Sequence, residues 1–123
     1  INLLSAVARK NRNAAYDGLR NRNKLMFDIC GVMHERYAEN LSIEQYAKMA
    51  NLSPGRFTHL FTGMTGISPK QYLLHIKLER AIELLSDTSL SVAQIAELVG
   101  ISDNNYFSRI FKKHTGHSPG FYR

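Results

Sequence analysis

An internal repeat is the feature that most constrains how this chain can fold. Leu41-Ser42 recurs as Leu90-Ser91, and Leu52-Ser53 recurs as Ile101-Ser102, in both cases 49 residues further on. After one inserted residue the separation becomes 50 for the remaining matches, which pair Phe57, Leu60, Phe61, Thr65-Gly66, Ser68-Pro69 and Tyr72 with Phe107, Ile110, Phe111, Thr115-Gly116, Ser118-Pro119 and Tyr122. Because a solenoid needs at least three copies, two copies predict a duplicated module.

Each copy begins with the signature of a capped helix. A serine precedes a glutamine by three residues, so the two residues can each accept a hydrogen bond from the other's backbone amide. This capping box predicts a short helix over Ile43–Ala50 after Ser42, and another over Val92–Val99 after Ser91.

A tight turn and a second helix follow in both copies. Gly100 stands at the turn of the second copy and Asn51 at the matching position of the first, and both residue types adopt a left-handed backbone readily. Second helices are predicted at about 53–64 and 103–114. Their caps are Ser53 in the first copy and Ser102 or Asp103 in the second. Helix, turn and helix form a helix-turn-helix unit, although an ordinary helical hairpin would show the same pattern.

A longer helix is predicted between the two copies. Ser68 caps it, Pro69 occupies its first position, Gln71 completes a third capping box, and the helical pattern runs to about Ser86. Its apolar stripe is broad and consists of Leu73, Leu74, Ile76, Leu78, Ala81, Leu84 and Leu85. We therefore expect this helix to pack on both modules and to hold their second helices at a fixed distance.

The second helix of each copy has an apolar side and a polar side. A helical wheel buries Phe57, Leu60, Phe61 and Met64 in one copy, and Phe107, Ile110 and Phe111 in the other. The opposite sides contain no acidic residue and display Arg56, Thr58, His59 and Thr62, then Asn105, Tyr106, Ser108, Arg109, Lys112 and Lys113. A solvated face normally mixes both signs of charge, so these faces favour contact with nucleic acid. Arg109 can donate two bonds to guanine, and Asn105 can bond adenine.

Net charge is weaker evidence for contact with nucleic acid than the placement of charge on particular helices. The chain carries a formal charge of +6. Six basic residues against Asp17 give residues 1–24 a charge of +5, which leaves only +1 for residues 25–123. The basic residues of this upstream segment are Arg9, Lys10, Arg12, Arg20, Arg22 and Lys24, and they suit either a solvated connector or extra phosphate contact and dimerisation.

The second copy contains a series of specific strings, which are Val92-Ala93-Gln94-Ile95-Ala96, Val99-Gly100-Ile101, Tyr106-Phe107-Ser108-Arg109-Ile110-Phe111-Lys112-Lys113, Thr115-Gly116, Ser118-Pro119 and Tyr122-Arg123. Through these strings the sequence resembles the AraC/XylS family of bacterial transcription regulators, and the resemblance covers about Lys24–Arg123. It implies an all-α fold of about seven helices, with two helix-turn-helix (homeodomain-like) subdomains joined by a central linker helix. It also implies sequence-specific binding of double-stranded DNA, with the two second helices as recognition helices in successive major-groove segments.

The resemblance assigns roles to individual positions of the two recognition helices. The base-reading positions correspond to Gly55, Thr58, His59, Asn104, Asn105, Ser108 and Arg109. Family members often carry a larger side chain at Gly55, so we expect no base contact there. The DNA backbone is expected to be contacted by Arg56, Thr62, Tyr106, Lys112 and Lys113.

The expected organisation is a first subdomain at 24–67, a connecting helix at 68–86 and a second subdomain at 87–123. Residues 1–23 are interpreted as an upstream linker, the tail of a sensor or dimerisation region that is missing from this sequence. The resemblance implies a cytoplasmic regulator, an activator in most members, that contacts RNA polymerase. An effector and a homodimer are both possible through the missing region. No cofactor, metal or membrane is expected.

Other classes of protein fit the sequence less well. Five histidines show no HExxH spacing, and no Ser-His-Asp motif or phosphate loop occurs, so an enzyme is not expected. An RNA-binding domain would show a GXXG loop or aromatic residues on a sheet. Cys30 is the single cysteine and is predicted to be a small buried thiol. A helical protein-interaction module without sequence-specific DNA binding remains the alternative.

Overall fold

A computed structural model describes the backbone of residues 6–123 and the side chains from residue 20 onward. The described chain is all-α, which confirms the predicted fold class. In order along the chain, the helices are α1 (Ala6–Arg36), a 3₁₀ helix (Tyr37–Glu39), α2 (Ile43–Met49), α3 (Pro54–Thr65), α4 (Pro69–Asp87), α5 (Val92–Leu98), α6 (Asn104–Thr115) and a second 3₁₀ helix (Pro119–Tyr122). About seven helices were expected, and the described residues form six α-helices with a 3₁₀ helix as the closing element.

Two hydrophobic cores divide the fold into two units of three helices. The first core lies between α1, α2 and α3, and its fully buried members include Met33, Tyr46 and Phe61. The second core lies between α4, α5 and α6, and it is centred on Leu85, Ile95, Phe107 and Phe111. Cys30 is buried in the first core, as predicted, and burial raises the pKa of its thiol.

The aromatic packing repeats from one unit to the other. The ring centroids of Phe57 and Phe61 are 5.7 Å apart in the first unit, and those of Phe107 and Phe111 are 5.6 Å apart in the second. A tyrosine then packs edge-on against the second phenylalanine, Tyr72 at 5.3 Å and Tyr122 at 5.5 Å. The sequence repeat therefore corresponds to a repeated core, because the matched residues make matched contacts.

Helix caps confirm most of the predicted starts. Both capping boxes form, with Ser42 and Gln45 bonding each other's backbone amides and Ser91 and Gln94 doing the same. The prediction of a third box was wrong: the Ser68 hydroxyl accepts from the Gln71 amide at 3.2 Å, but the Gln71 side chain does not accept from the Ser68 amide. The Gln71 side chain is exposed, so water can satisfy it there.

The turns inside the two units have the predicted backbone. Asn51 has φ 62° and Gly100 has φ 88°, so both lie in the left-handed region. In both turns an amide reaches back across the turn, from Leu52 to the Ala47 carbonyl at 2.9 Å and from Ile101 to the Ala96 carbonyl at 2.8 Å. Of the two caps considered for α6, Asp103 is the one that forms, accepting from the Tyr106 amide at 3.0 Å.

Helix α4 packs on both cores, as its apolar stripe predicted. Its first turns place Tyr72, Leu73 and Ile76 against the first core. Its later turns place Leu78, Ala81 and Leu85 in the second core, with Leu74 and Leu84 packed at the edge. α4 is thus more than a linker, since it closes the first unit and supplies the first helix of the second.

One predicted core residue is on the surface. Met64 shares the wheel position of the buried phenylalanines, yet its side chain is 36% exposed. It lies in the last turn of α3, where the helix extends past the core that Phe57 and Phe61 fill. The helical wheel gives direction around the axis but carries no information about how far along the axis the core reaches.

Helix α1 crosses the expected boundary between residues 23 and 24 without a break. Residues 1–5 of the predicted upstream segment, and the side chains of Arg9, Lys10 and Arg12, lie outside the described residues. Arg20 and Arg22 are exposed, and Lys24 pairs with Asp28 at 3.0 Å. Within the described residues, no helix is both long enough and apolar enough to cross a membrane.

Candidate nucleic-acid interface

Helix α3 presents a polar outer face that is low in charge. Arg56, His59 and Thr62 are exposed, and Thr58 is half-buried beside the core. Ser53 caps the helix by accepting from the Arg56 amide at 3.2 Å, and Pro54 fixes its first turn. A Cβ atom added at Gly55 would meet nothing within 4 Å, so no packing contact inside the chain requires a glycine there.

Helix α6 presents the richer face. Asn104, Asn105, Arg109, Lys112 and Lys113 are exposed, and Ser108 is half-buried in the same way as Thr58. The buried phenylalanines hold the opposite side of the helix in the core, so these polar side chains point away from it. Every predicted site residue of α3 and α6 thus lies on the surface or at its edge, and none falls inside the core.

The basic side chains of these faces are not neutralised by neighbouring carboxylates. Over the part of the chain whose side chains are described, ion pairs join Lys24 to Asp28, Arg36 to Glu39 and Arg80 to Glu83. Among these described side chains, no ion pair involves the four cations of the outer faces, which are Arg56, Arg109, Lys112 and Lys113. Their charge is therefore available to an anionic partner.

Arg109 has an aromatic neighbour on its own helix. Its guanidinium carbon lies 5.5 Å from the centroid of the Tyr106 ring, which is within cation–π distance. Tyr106 is 40% exposed, and Asp103 anchors its backbone amide. The Tyr106 ring therefore packs against the Arg109 guanidinium on the outer face of α6.

Equivalent positions of the two helices differ in charge. Where α6 carries Arg109, α3 carries His59, and where α6 carries Lys112, α3 carries Thr62. Ser108 and Thr58 are equivalent and have the same partial burial. The two outer faces share one framework, but α6 offers more donors and more positive charge.

The histidines do not gather into a metal site within the described residues. His34 bonds the hydroxyl of Tyr72 at 3.1 Å. His117 stacks on Phe121 with ring centroids 3.8 Å apart, and the rings of His75 and His114 are 6.2 Å apart. His114 thus faces α4, and only His59 belongs to the outer face of a second helix.

Sequence reasoning missed a junction between the two units. The Asn40 side chain donates to the Gly100 carbonyl at 3.0 Å and accepts from the Lys77 ammonium at 2.6 Å. Asn40 has φ 58°, the left-handed conformation that asparagine tolerates. The repeat does not predict this junction, because the second copy has Ser89 at the position that matches Asn40. The only sequence signal was the place of Asn40 between a helix and the start of the repeat.

Two helix-turn-helix units on a shared central helix, each with an acid-free outer face on its second helix, define the class of double helix-turn-helix proteins. The chain matches the family described as "Helix-turn-helix domain" over residues 46–123. It belongs to the AraC/XylS family of transcription regulators, as the sequence resemblance predicted.

Individual relatives agree with this assignment. The chain is 41% identical over 91 residues to the MmsAB operon regulatory protein of Pseudomonas aeruginosa, an alignment that covers 74% of this chain and 30% of that protein. The fold is similar to the C-terminal domain of AraT, a response regulator from Geobacillus stearothermophilus, with a TM-score of 0.76, 34% identity and coverage of 80% of this chain and 83% of that domain.

A third relative is known with its ligand. The DNA-binding domain of AdpA, solved in complex with a target DNA, aligns with a TM-score of 0.75 and 26% identity, and it covers 79% of this chain and 87% of that domain. The chain spans about a third of the length of the first curated relatives that it matches.

Proposed function

We propose that this chain binds double-stranded DNA in a sequence-specific manner as the DNA-binding part of a transcription regulator. Helices α3 and α6 enter successive major-groove segments. The observation that carries this proposal is that two equivalent helices packed on one central helix both expose donor side chains and contain no carboxylate, and that their cations pair with no carboxylate whose side chain is described. The AdpA domain, which has a similar fold, was solved with DNA, and this supports the same partner here.

The side chains divide into two roles by their chemistry. Amide, hydroxyl, imidazole and guanidinium groups near the middle and start of each helix read base edges, and these are Thr58, His59, Asn104, Asn105, Ser108 and Arg109. Groups on the flanks contact phosphates and fix orientation, and these are Arg56, Thr62, Tyr106, Lys112 and Lys113. α6 carries most of the sequence preference, because its face has the bidentate donors.

Salt-dependent binding to DNA tests the proposal. We expect the 123-residue chain to bind duplexes selected from a random pool, and its affinity to fall steeply as salt rises, because phosphate contacts release counterions. Aligned selected duplexes should show two dissimilar half-motifs about 10 base pairs apart. Absence of duplex binding even at low salt would contradict the proposal and favour a helical protein-interaction module.

Arg109→Ala is expected to reduce discrimination at one or two base pairs of the half-motif read by α6, by about 1–3 kcal/mol each. Arg109→Lys should lose the same discrimination while keeping the salt dependence, because lysine retains the charge but not the planar fork. Binding of a panel of single-base variants, measured by fluorescence anisotropy, checks both expectations.

Lys112→Ala is the matched control on the same face. It removes a phosphate contact, so it should weaken all duplexes alike and lower the slope of log affinity against log salt by about 1. If Arg109→Ala leaves the base preference intact, or if Lys112→Ala changes that preference, the division of roles on α6 is wrong.

Family membership also supports a proposal about the regulatory activity of the protein. We propose a bacterial cytoplasmic regulator that acts mostly as an activator through RNA polymerase, not an enzyme. A sensor or dimerisation region would supply the effector response and the homodimer. Relatives about three times as long as this chain leave room for such a region.

A further inference from the structure

We propose that Asn40 and Lys77 are positioning residues that set the placement of α6 relative to α3, and thereby the spacing between half-motifs that the chain accepts. The proposal rests on the proposed DNA binding for its consequence, but the geometry that supports it is independent of DNA. Neither residue lies on the outer face of α3 or α6.

Three segments meet at the Asn40 side chain. Asn40 follows the 3₁₀ helix that lies between α1 and α2 in the first unit. Its amide nitrogen donates to the carbonyl of Gly100 in the turn before α6, and its carbonyl oxygen accepts from Lys77 on α4. One side chain therefore ties the first unit to both the central helix and the turn of the second unit.

The hydrogen bond between Asn40 and Gly100 lies close to the start of the recognition helix α6. Gly100 lies three residues before Asp103, which caps α6. The backbone of Ala38 is packed so closely on the same turn that a Cβ atom at Gly100 would lie 3.1 Å from the Ala38 Cα and carbonyl oxygen. A shift of the 3₁₀ helix would therefore be transmitted directly to the start of α6.

Lys77 is held in the junction rather than displayed on the surface. Its side chain is half-buried, and burial lowers the pKa of its ammonium group. Its 2.6 Å bond goes to a neutral amide, and it joins no ion pair over the described side chains. The bond restricts the half-buried Lys77 side chain, because a displacement of α4 relative to Asn40 would break it.

Asn51 shows that a left-handed backbone conformation does not by itself produce the hydrogen bonds that the Asn40 side chain makes. Asn51 has φ 62°, close to the φ 58° of Asn40, but its side chain is exposed and makes no hydrogen bond to the residues whose side chains are described. The two asparagines therefore provide a matched pair: glycine at either position keeps the backbone conformation, and only at position 40 does it remove the bridge.

The first experiment measures placement without DNA. Spin labels on Met64→Cys in α3 and Lys113→Cys in α6 report the distance between the two helices, and Cys30 is buried and so protected from labelling. We expect Asn40→Gly and Lys77→Met to broaden or shift the distance distribution, and Asn51→Gly to leave it unchanged. An unchanged distribution in Asn40→Gly, with the chain still folded by circular dichroism, overturns the proposal.

The second experiment measures spacing on DNA. A duplex selected by the unmodified chain is compared with the same duplex carrying one or two base pairs inserted or removed between the half-motifs. We expect Asn40→Gly to reduce the penalty for altered spacing and to weaken binding at the native spacing by about two- to tenfold, the scale of one net hydrogen bond. Binding to duplexes with a single half-motif should stay the same.

The outcomes separate the two proposals. If the unmodified chain binds no duplex, the proposed function fails while the distance measurement still decides the role of Asn40. If DNA binds normally but Asn40→Gly and Asn51→Gly have the same spacing profile as the unmodified chain, the function stands and the positioning role is wrong. A loss of stability in Asn40→Gly without a changed profile would give Asn40 a structural role only.

Discussion

Phe111→Ala is expected to lower the free energy of unfolding by about 3–5 kcal/mol, because it truncates a large aromatic side chain in the core of the second unit. The Phe111 side chain is fully buried. Its ring lies 5.6 Å from that of Phe107 and 5.5 Å from that of Tyr122, so truncation removes contacts on two sides and leaves a cavity. Urea unfolding followed by far-ultraviolet circular dichroism measures the change.

Phe121→Ala is the matched control for this prediction. Phe121 belongs to the same unit, but its side chain is 63% exposed, so the same truncation should change the free energy of unfolding much less. Phe61→Ala should reproduce the large effect in the first unit, since Phe61 occupies the equivalent buried position. If Phe111→Ala unfolds like the unmodified chain but fails on DNA, Phe111 contacts the ligand and is not a core residue.

Gly100→Ala is expected to destabilise the chain by about 2–4 kcal/mol. Two costs add at this position. The residue has φ 88°, which costs an L-residue about 1–2 kcal/mol, and the new Cβ atom would lie 3.1 Å from the Ala38 backbone. Because backbone cannot rotate away as a side chain can, the turn or the 3₁₀ helix must move.

Gly66→Ala and Gly116→Ala separate these two costs. Both glycines have nearly the same φ, 85° and 89°, but a Cβ atom at either one meets nothing within 4 Å. They should therefore show the backbone cost alone, about 1–2 kcal/mol in urea unfolding. An effect at Gly100 no larger than at Gly116 would mean that the contact with Ala38 is easily relaxed.

The candidate site was predictable from the sequence wherever local pattern governs exposure. Phe107 and Phe111 fix which side of α6 is buried, so Arg109 and Lys112 had to face outward. Met64 shows the limit of this argument, because its burial depends on where the neighbouring helices end and not on its angle around α3. Gln71 shows a second limit, since a capping box requires a side-chain rotamer that the sequence pattern does not determine.

The duplicated module and its helix-turn-helix units were determined by the sequence alone, because capping, turn conformation and helical periodicity act over a few neighbouring residues. The contacts between the units were decided by the tertiary structure. Asn40, Lys77 and Gly100 are far apart in the chain, and no local pattern relates them. The repeat predicts two similar units, but only the packing of α4 and the 3₁₀ helix determines how one unit is placed against the other.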